Sequence, residues 1–99
     1  MSKGRLSLTL RADDVVIVHR PDDPLRLLVS EVSGSEKSAW VAIDGKGFVV
    51  QEVTIAPDLD PLVFGEIEVR CTNVHASRVT IVIEAPKEWR IEKLAADRV

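Results

Sequence analysis

A single cysteine, Cys71, stands among 99 residues, so no intrachain disulfide can staple this chain. That usage points to a reducing compartment. Tyrosine is absent and aromatic residues make up only 4%. A core drawn from the 45% of apolar residues must therefore be built from Val, Ile and Leu, whose branched members favour strands. No apolar run approaches the roughly 18–20 residues needed to span a bilayer. Met1-Ser2-Lys3-Gly4-Arg5 has no apolar signal segment behind it, so the expected location is the cytoplasm. An excess of basic charge is lacking too: 13 Lys and Arg face 16 Asp and Glu, for a net charge of −3. Bulk attraction to nucleic acid is thereby excluded, and any such site has to be a local basic patch.

What is present is strand patterning. Leu6, Leu8 and Leu10 alternate with polar residues, as in a half-buried strand. Val15 to Val18 form a β-branched run, and Arg20-Pro21-Asp22-Asp23-Pro24 break it. Leu25 to Val32, Trp40 to Ile43 and Phe48 to Ile55 read as strands separated by Ser/Gly-rich turns, with Trp40 expected in the core. The second half opens with breakers from Ala56 to Pro61 and a short apolar run, Leu62 to Phe64. Ile67, Val69 and Cys71 alternate with Glu68, Arg70 and Thr72. Val79, Ile81 and Ile83 alternate with Thr80, Val82 and Glu84. These two runs carry the clearest period-2 signal. After the turn Ala85-Pro86-Lys87-Glu88 the chain extends over Trp89 to Ile91, and Glu92 to Arg98 suit a short terminal helix.

The halves can be superimposed. Val32-Ser33-Gly34-Ser35 falls on Val74-His75-Ala76-Ser77, Val41 to Gly45 on Ile81 to Ala85, and Val15 to Val18 on Leu62 to Phe64, with two extra residues in the first hairpin loop. The reading is one compact all-β domain over 1–99, a small twisted sandwich or barrel-like assembly of short antiparallel strands, with an internal pseudo-repeat at 5–52 and 53–99.

Gly65-Glu66-Ile67-Glu68-Val69 and the run Val74 to Glu88, ending in Ala85-Pro86-Lys87-Glu88, resemble the centre of the carbon storage regulator (CsrA/RsmA) family. The similarity is strongest over 62–95, and Leu6-Ser7-Leu8-Thr9 matches the family's first strand more weakly. The family forms interleaved homodimers of five-stranded chains with a C-terminal helix. Each chain's first and last strands lie beside the partner's middle strands. The RNA surface pairs one chain's first strand with the other's last, and GGA-containing loops of mRNA or small RNA are bound to control translation. The resemblance implies a fused pseudodimer in which Phe48 to Ile55 joins the last strand of one copy to the first of the next.

On that reading Arg5, Thr9, Leu10, Arg11, Lys87, Trp89, Arg90 and Lys93 form one RNA-binding surface. Arg and Lys would hold phosphates or guanine edges and Trp89 would stack a base. The corresponding second surface, Thr54, Ile55 and Ala56 with Val50, Gln51 and Glu52, lacks cations. Two functions follow: an RNA-binding translational regulator, or an interaction module that kept the fold, lost RNA binding, and pairs with a regulator-family protein or another copy. The Ala-Pro-Lys-Glu turn favours the first, and the acidic balance favours the second. No enzyme is expected, since Cys71, His19, His75 and the scattered Asp residues form no catalytic or ligand spacing. No cofactor, metal, membrane or DNA partner is expected either.

Overall fold

The computed structural model describes residues 3–45 and 48–96. Nine strands fill most of that length: β1 (Lys3–Arg11), β2 (Val15–His19), β3 (Leu25–Ser33), β4 (Ser38–Gly45), β5 (Phe48–Ile55), β6 (Leu62–Phe64), β7 (Ile67–His75), β8 (Arg78–Pro86) and β9 (Arg90–Leu94). They form two antiparallel sheets, one ordered β1-β8-β7-β6 and the other β5-β4-β3-β2-β9. The period-2 runs become strands because each has one apolar face to bury. Leu25, Leu27, Val29, Val41 and Ile43 meet Ile67, Val69, Cys71, Val79, Ile81 and Ile83 in one core. The only cysteine thus serves as a small buried hydrophobe, and burial pushes its thiol pKa up.

The β3–β4 and β7–β8 hairpins share their register. Counting back from the loop, Ser33, Val32 and Glu31 face Ser38, Ala39 and Trp40. Ser30 is then bulged out, and Val29 faces Val41. Likewise His75, Val74 and Asn73 face Arg78, Val79 and Thr80, Thr72 is bulged, and Cys71 faces Ile81. A bulge at the same step from both loops gives both hairpins the same added twist. The two tips also touch. A Cβ on Gly34 would sit 2.6 Å from the Ala76 carbonyl oxygen, so only glycine allows that approach. Gly65, at φ +61°, makes the left-handed turn between β6 and β7.

Several expectations are corrected. The chain from Arg90 to Leu94 is a strand, and no helix occurs among the described residues, Ala95 and Ala96 included; residues 97–99 lie outside them. Five backbone positions of β9 pair with β2 from Val15↔Leu94 to His19↔Arg90, and this ladder outweighs the helical propensity of so short a segment. Trp40 is 44% exposed rather than core, because Ala39, Val41 and Ile43 take the inward positions and the alternation turns Trp40 out. Of the first-strand leucines only Leu10 is fully buried, while Leu6 is 40% exposed near the start of an edge strand. His19 and His75 are the last residues of β2 and β7. Phe48–Ile55 does not pass from one sheet to the other: its paired residues all lie on β4, from Gly45↔Phe48 to Ala39↔Ile55.

No helix is long and apolar enough to cross a membrane among the described residues. Ile81 and Ile83 are almost wholly enclosed. Truncating either to Ala should lower stability by roughly 2–5 kcal/mol in urea unfolding, whereas Trp40→Thr should change it by less than about 1 kcal/mol.

Candidate nucleic-acid interface

The chain crosses between sheets at three places, and two of them build the site. β1 leaves one sheet for β2 of the other through Ala12-Asp13-Asp14. β8 leaves for β9 through a tight turn in which the Trp89 amide donates to the Pro86 carbonyl at 3.0 Å. As a result β1 is an edge of one sheet and β9 an edge of the other. The two edges run side by side in the same direction. Gly4, Arg5 and Leu6 share a cleft with Lys87, Trp89 and Ile91, and Thr9 and Arg11 share the next with Lys93 and Ala95. No strand ladder joins β1 to β9. The Lys93 ammonium spans the seam instead, donating to the Thr9 carbonyl at 2.9 Å.

Asp14 fixes this corner. It is one of the two buried polar residues of the described chain, at 2% exposure. Its Oδ2 accepts from the Arg11 amide at 2.8 Å and its Oδ1 from the Ala96 amide at 2.9 Å. Asp13 takes the left-handed conformation, φ 75°, which Asp tolerates better than most residues. Its amide donates to the Val29 carbonyl at 2.6 Å, and the Val29 amide donates to the Asp14 carbonyl at 3.0 Å. The ends of β1 and β9 are thus clamped to one carboxylate.

The sequence-predicted residues gather along this seam but differ in availability. Arg11 and Lys93 lie in the upper cleft with Arg78, which sequence reasoning missed. In the β1–β8 ladder Arg11 stands directly opposite Arg78, and neither guanidinium forms an ion pair among the described residues. Nothing in the order of residues announces that pairing; it appears only with the register. Thr9 faces Thr80, their hydroxyls 3.3 Å apart. Leu10 has its side chain in the core, so it can offer a ligand only its backbone. In the lower cleft Lys87 is exposed and Trp89 is half-buried against the core.

The remaining two cations are already engaged. Arg5 donates to Glu84 Oε1 from Nε at 3.0 Å and from a terminal nitrogen at 2.6 Å. That bond holds the Glu84 carboxyl below the ordinary glutamate pKa, with smaller help from the charges of Arg5, Lys3 and Arg70. Arg90 pairs with Glu92 at 3.5 Å and contacts His19 at 3.2 Å, on the face of β9 opposite Lys93. No group of three His, Cys, Asp or Glu able to hold a metal occurs among the described residues.

Two predictions come from this geometry. Asp14→Ala leaves two backbone amides without their acceptor and should cost roughly 2–4 kcal/mol, with amide exchange rising first at Arg11 and Ala96. Glu84 is more acidic folded than unfolded, so its stabilising contribution is complete at neutral pH. It is lost as pH falls below about 4.3 and through the lowered folded value. Thermal melts of Glu84→Gln should therefore lose less stability between pH 5 and pH 2.5 than the parent.

No protein-family model, curated protein or solved structure matches the chain.

Proposed function

We propose that the chain is an RNA-binding post-transcriptional regulator of the carbon-storage-regulator type, in which one polypeptide with two copies of a strand unit builds what that family builds from two chains. The strand interleaving supports the reading. β1 lies beside β8 of the second half, and β9 beside β2 of the first. The common register of the two hairpins supports the two copies.

The observation that carries the RNA reading is the upper cleft. Arg11, Arg78 and Lys93 converge there, and two of them face each other as like charges. Directly opposed like charges destabilise a sheet, and a phosphate between them turns that repulsion into two charge-assisted contacts. The parallel edges leave backbone groups for a single strand of RNA, with Lys87 and Trp89 further along for a second phosphate and an unpaired base. A GGA-containing loop is the substrate the resemblance implies, read by Arg side chains on guanine edges.

The surface is single. Matching the two hairpins from their loops puts Ser38 where Arg78 stands. Extending the β4–β5 pairing one step past Ala39↔Ile55 puts Ala56 where Arg11 stands. Both replacements are buried and uncharged. The engagement of Arg5 by Glu84 and of Arg90 by Glu92 favours the second reading, an interaction module on the same fold that no longer binds RNA.

A GGA-loop RNA hairpin titrated at low salt separates the two. One RNA should bind per chain. Neutralising Arg11 and Lys93 together should abolish binding and flatten the salt dependence by about two units if both touch phosphate. Two equivalent RNA sites per chain would refute the single surface, and no binding at low salt would favour the interaction-module reading over the RNA reading.

A further inference from the structure

The five-stranded sheet has an apolar stripe on its solvent side. In register, Leu94 pairs with Val15, Val15 with Leu28, and Leu28 with Ala42, so these residues form one row across β9, β2, β3 and β4. Trp40 adjoins it, two residues from Ala42 on the same face. Leu28, Trp40 and Leu94 are 39%, 44% and 44% exposed.

The other sheet acts as an internal control. Counted from the hairpin loops, Leu28 corresponds to Arg70 and Trp40 to Thr80. The same two places in the same hairpin geometry are therefore polar in the other sheet. Folding does not demand a leucine and a tryptophan there, and a contiguous exposed apolar patch marks an interaction surface.

The rim names the occupant. Glu31 stands opposite Trp40, Glu52 opposite Ala42, and Asp44 opposite Arg26. None of these three carboxylates is in an ion pair among the described residues. A second copy would set this acidic rim against itself, and RNA would be repelled by it. We propose that this face is a docking site for a protein partner presenting an apolar strand or stripe flanked by Lys or Arg. It is separate from the β1–β9 seam and does not depend on what that seam binds.

The probe is a soluble eight-residue peptide of alternating Leu and Lys, compared with the same peptide carrying Glu for Lys, each titrated into the full-length ¹⁵N-labelled chain. The Leu/Lys peptide should shift the amides of Leu28, Trp40 and Ala42, and the Leu/Glu peptide should leave them in place. The double variant Leu28→Arg, Trp40→Thr installs the residues the other sheet carries. It should weaken binding at least tenfold while the melting temperature stays within a few degrees. Glu31→Lys with Glu52→Lys, at exposed positions, should weaken it as well and serves if the first variant fails to fold. The proposal is overturned if both peptides bind alike, if the shifts map to the other sheet, if neither variant weakens binding, if the parent self-associates through this face while the double variant is monomeric, or if RNA moves the Trp40 amide.

Discussion

The buried carboxylate of Asp14 is the constraint on which the rest of the structure depends. A chain that must pass from one sheet to the next within Ala12-Asp13-Asp14 leaves backbone amides at the corner with no ladder partner. Such groups cannot be buried unsatisfied. Asp14 satisfies two of them, from residues 11 and 96, while Asp13 and Val29 tie the corner to β3. The corner therefore holds the entry to β2 and the exit from β9 together. The corner acts together with the Lys93 bridge and the shared core, where Leu10 of β1 is buried and Ile91 of β9 packs, to set the spacing of β1 and β9.

Crossing the chain between sheets has a second consequence. The contacts that complete each sheet join the two ends of the sequence: Arg5 to Glu84 across β1 and β8, and His19 to Glu92 across β2 and β9, are separations of 79 and 73 residues, and the seam contact of Lys93 with Thr9 spans 84. Each sheet is finished by a strand from the other half, so neither half can bury its apolar face alone. That interdependence makes one cooperative unit of a chain whose hairpins look independent in sequence. It also places the β1–β9 seam among the most non-local contacts of the fold, where closure depends on everything else being formed.

The hairpins were legible in the sequence because a half-buried strand writes its face in alternate residues. Val69, Cys71, Ile81 and Ile83 turned inward as their spacing implied, with Glu68, Arg70, Thr80 and Glu84 outward. The two-residue difference between the hairpin loops was visible too, since Ser33↔Ser38 closes a longer loop than His75↔Arg78. Trp40 misled because a large aromatic suggests interior, while its place between Ala39 and Val41 decided the opposite. The end of the chain misled because Glu92, Lys93, Leu94 and the alanines after them have good helical propensity, and propensity in so short a piece yields to an open sheet edge. Of the candidate site, Arg11, Lys93, Lys87 and Trp89 were implied by the resemblance, which sets the first strand beside the last, and the two clefts between β1 and β9 do bring them to one seam. Arg78 was not, because its role is created by register, and register is a property of pairs.

The seam shows how a chain with net negative charge keeps a cationic spot. Ion pairs between exposed groups add little stability, so Arg5–Glu84 and Arg90–Glu92 matter more for what they remove from the local field than for what they hold together. They quiet the outer parts of the β1–β9 edge and leave Arg11, Arg78 and Lys93 as its concentrated positive charge. Asp14 lines the same cleft, and its two carboxylate oxygens accept from the backbone amides of residues 11 and 96. The opposed arginines are therefore unfavourable in isolation and favourable with an anion between them. A ligand that binds only the folded chain stabilises it through mass action. An anion held between the arginines would in that way couple the geometry of the corner to the occupancy of the cleft.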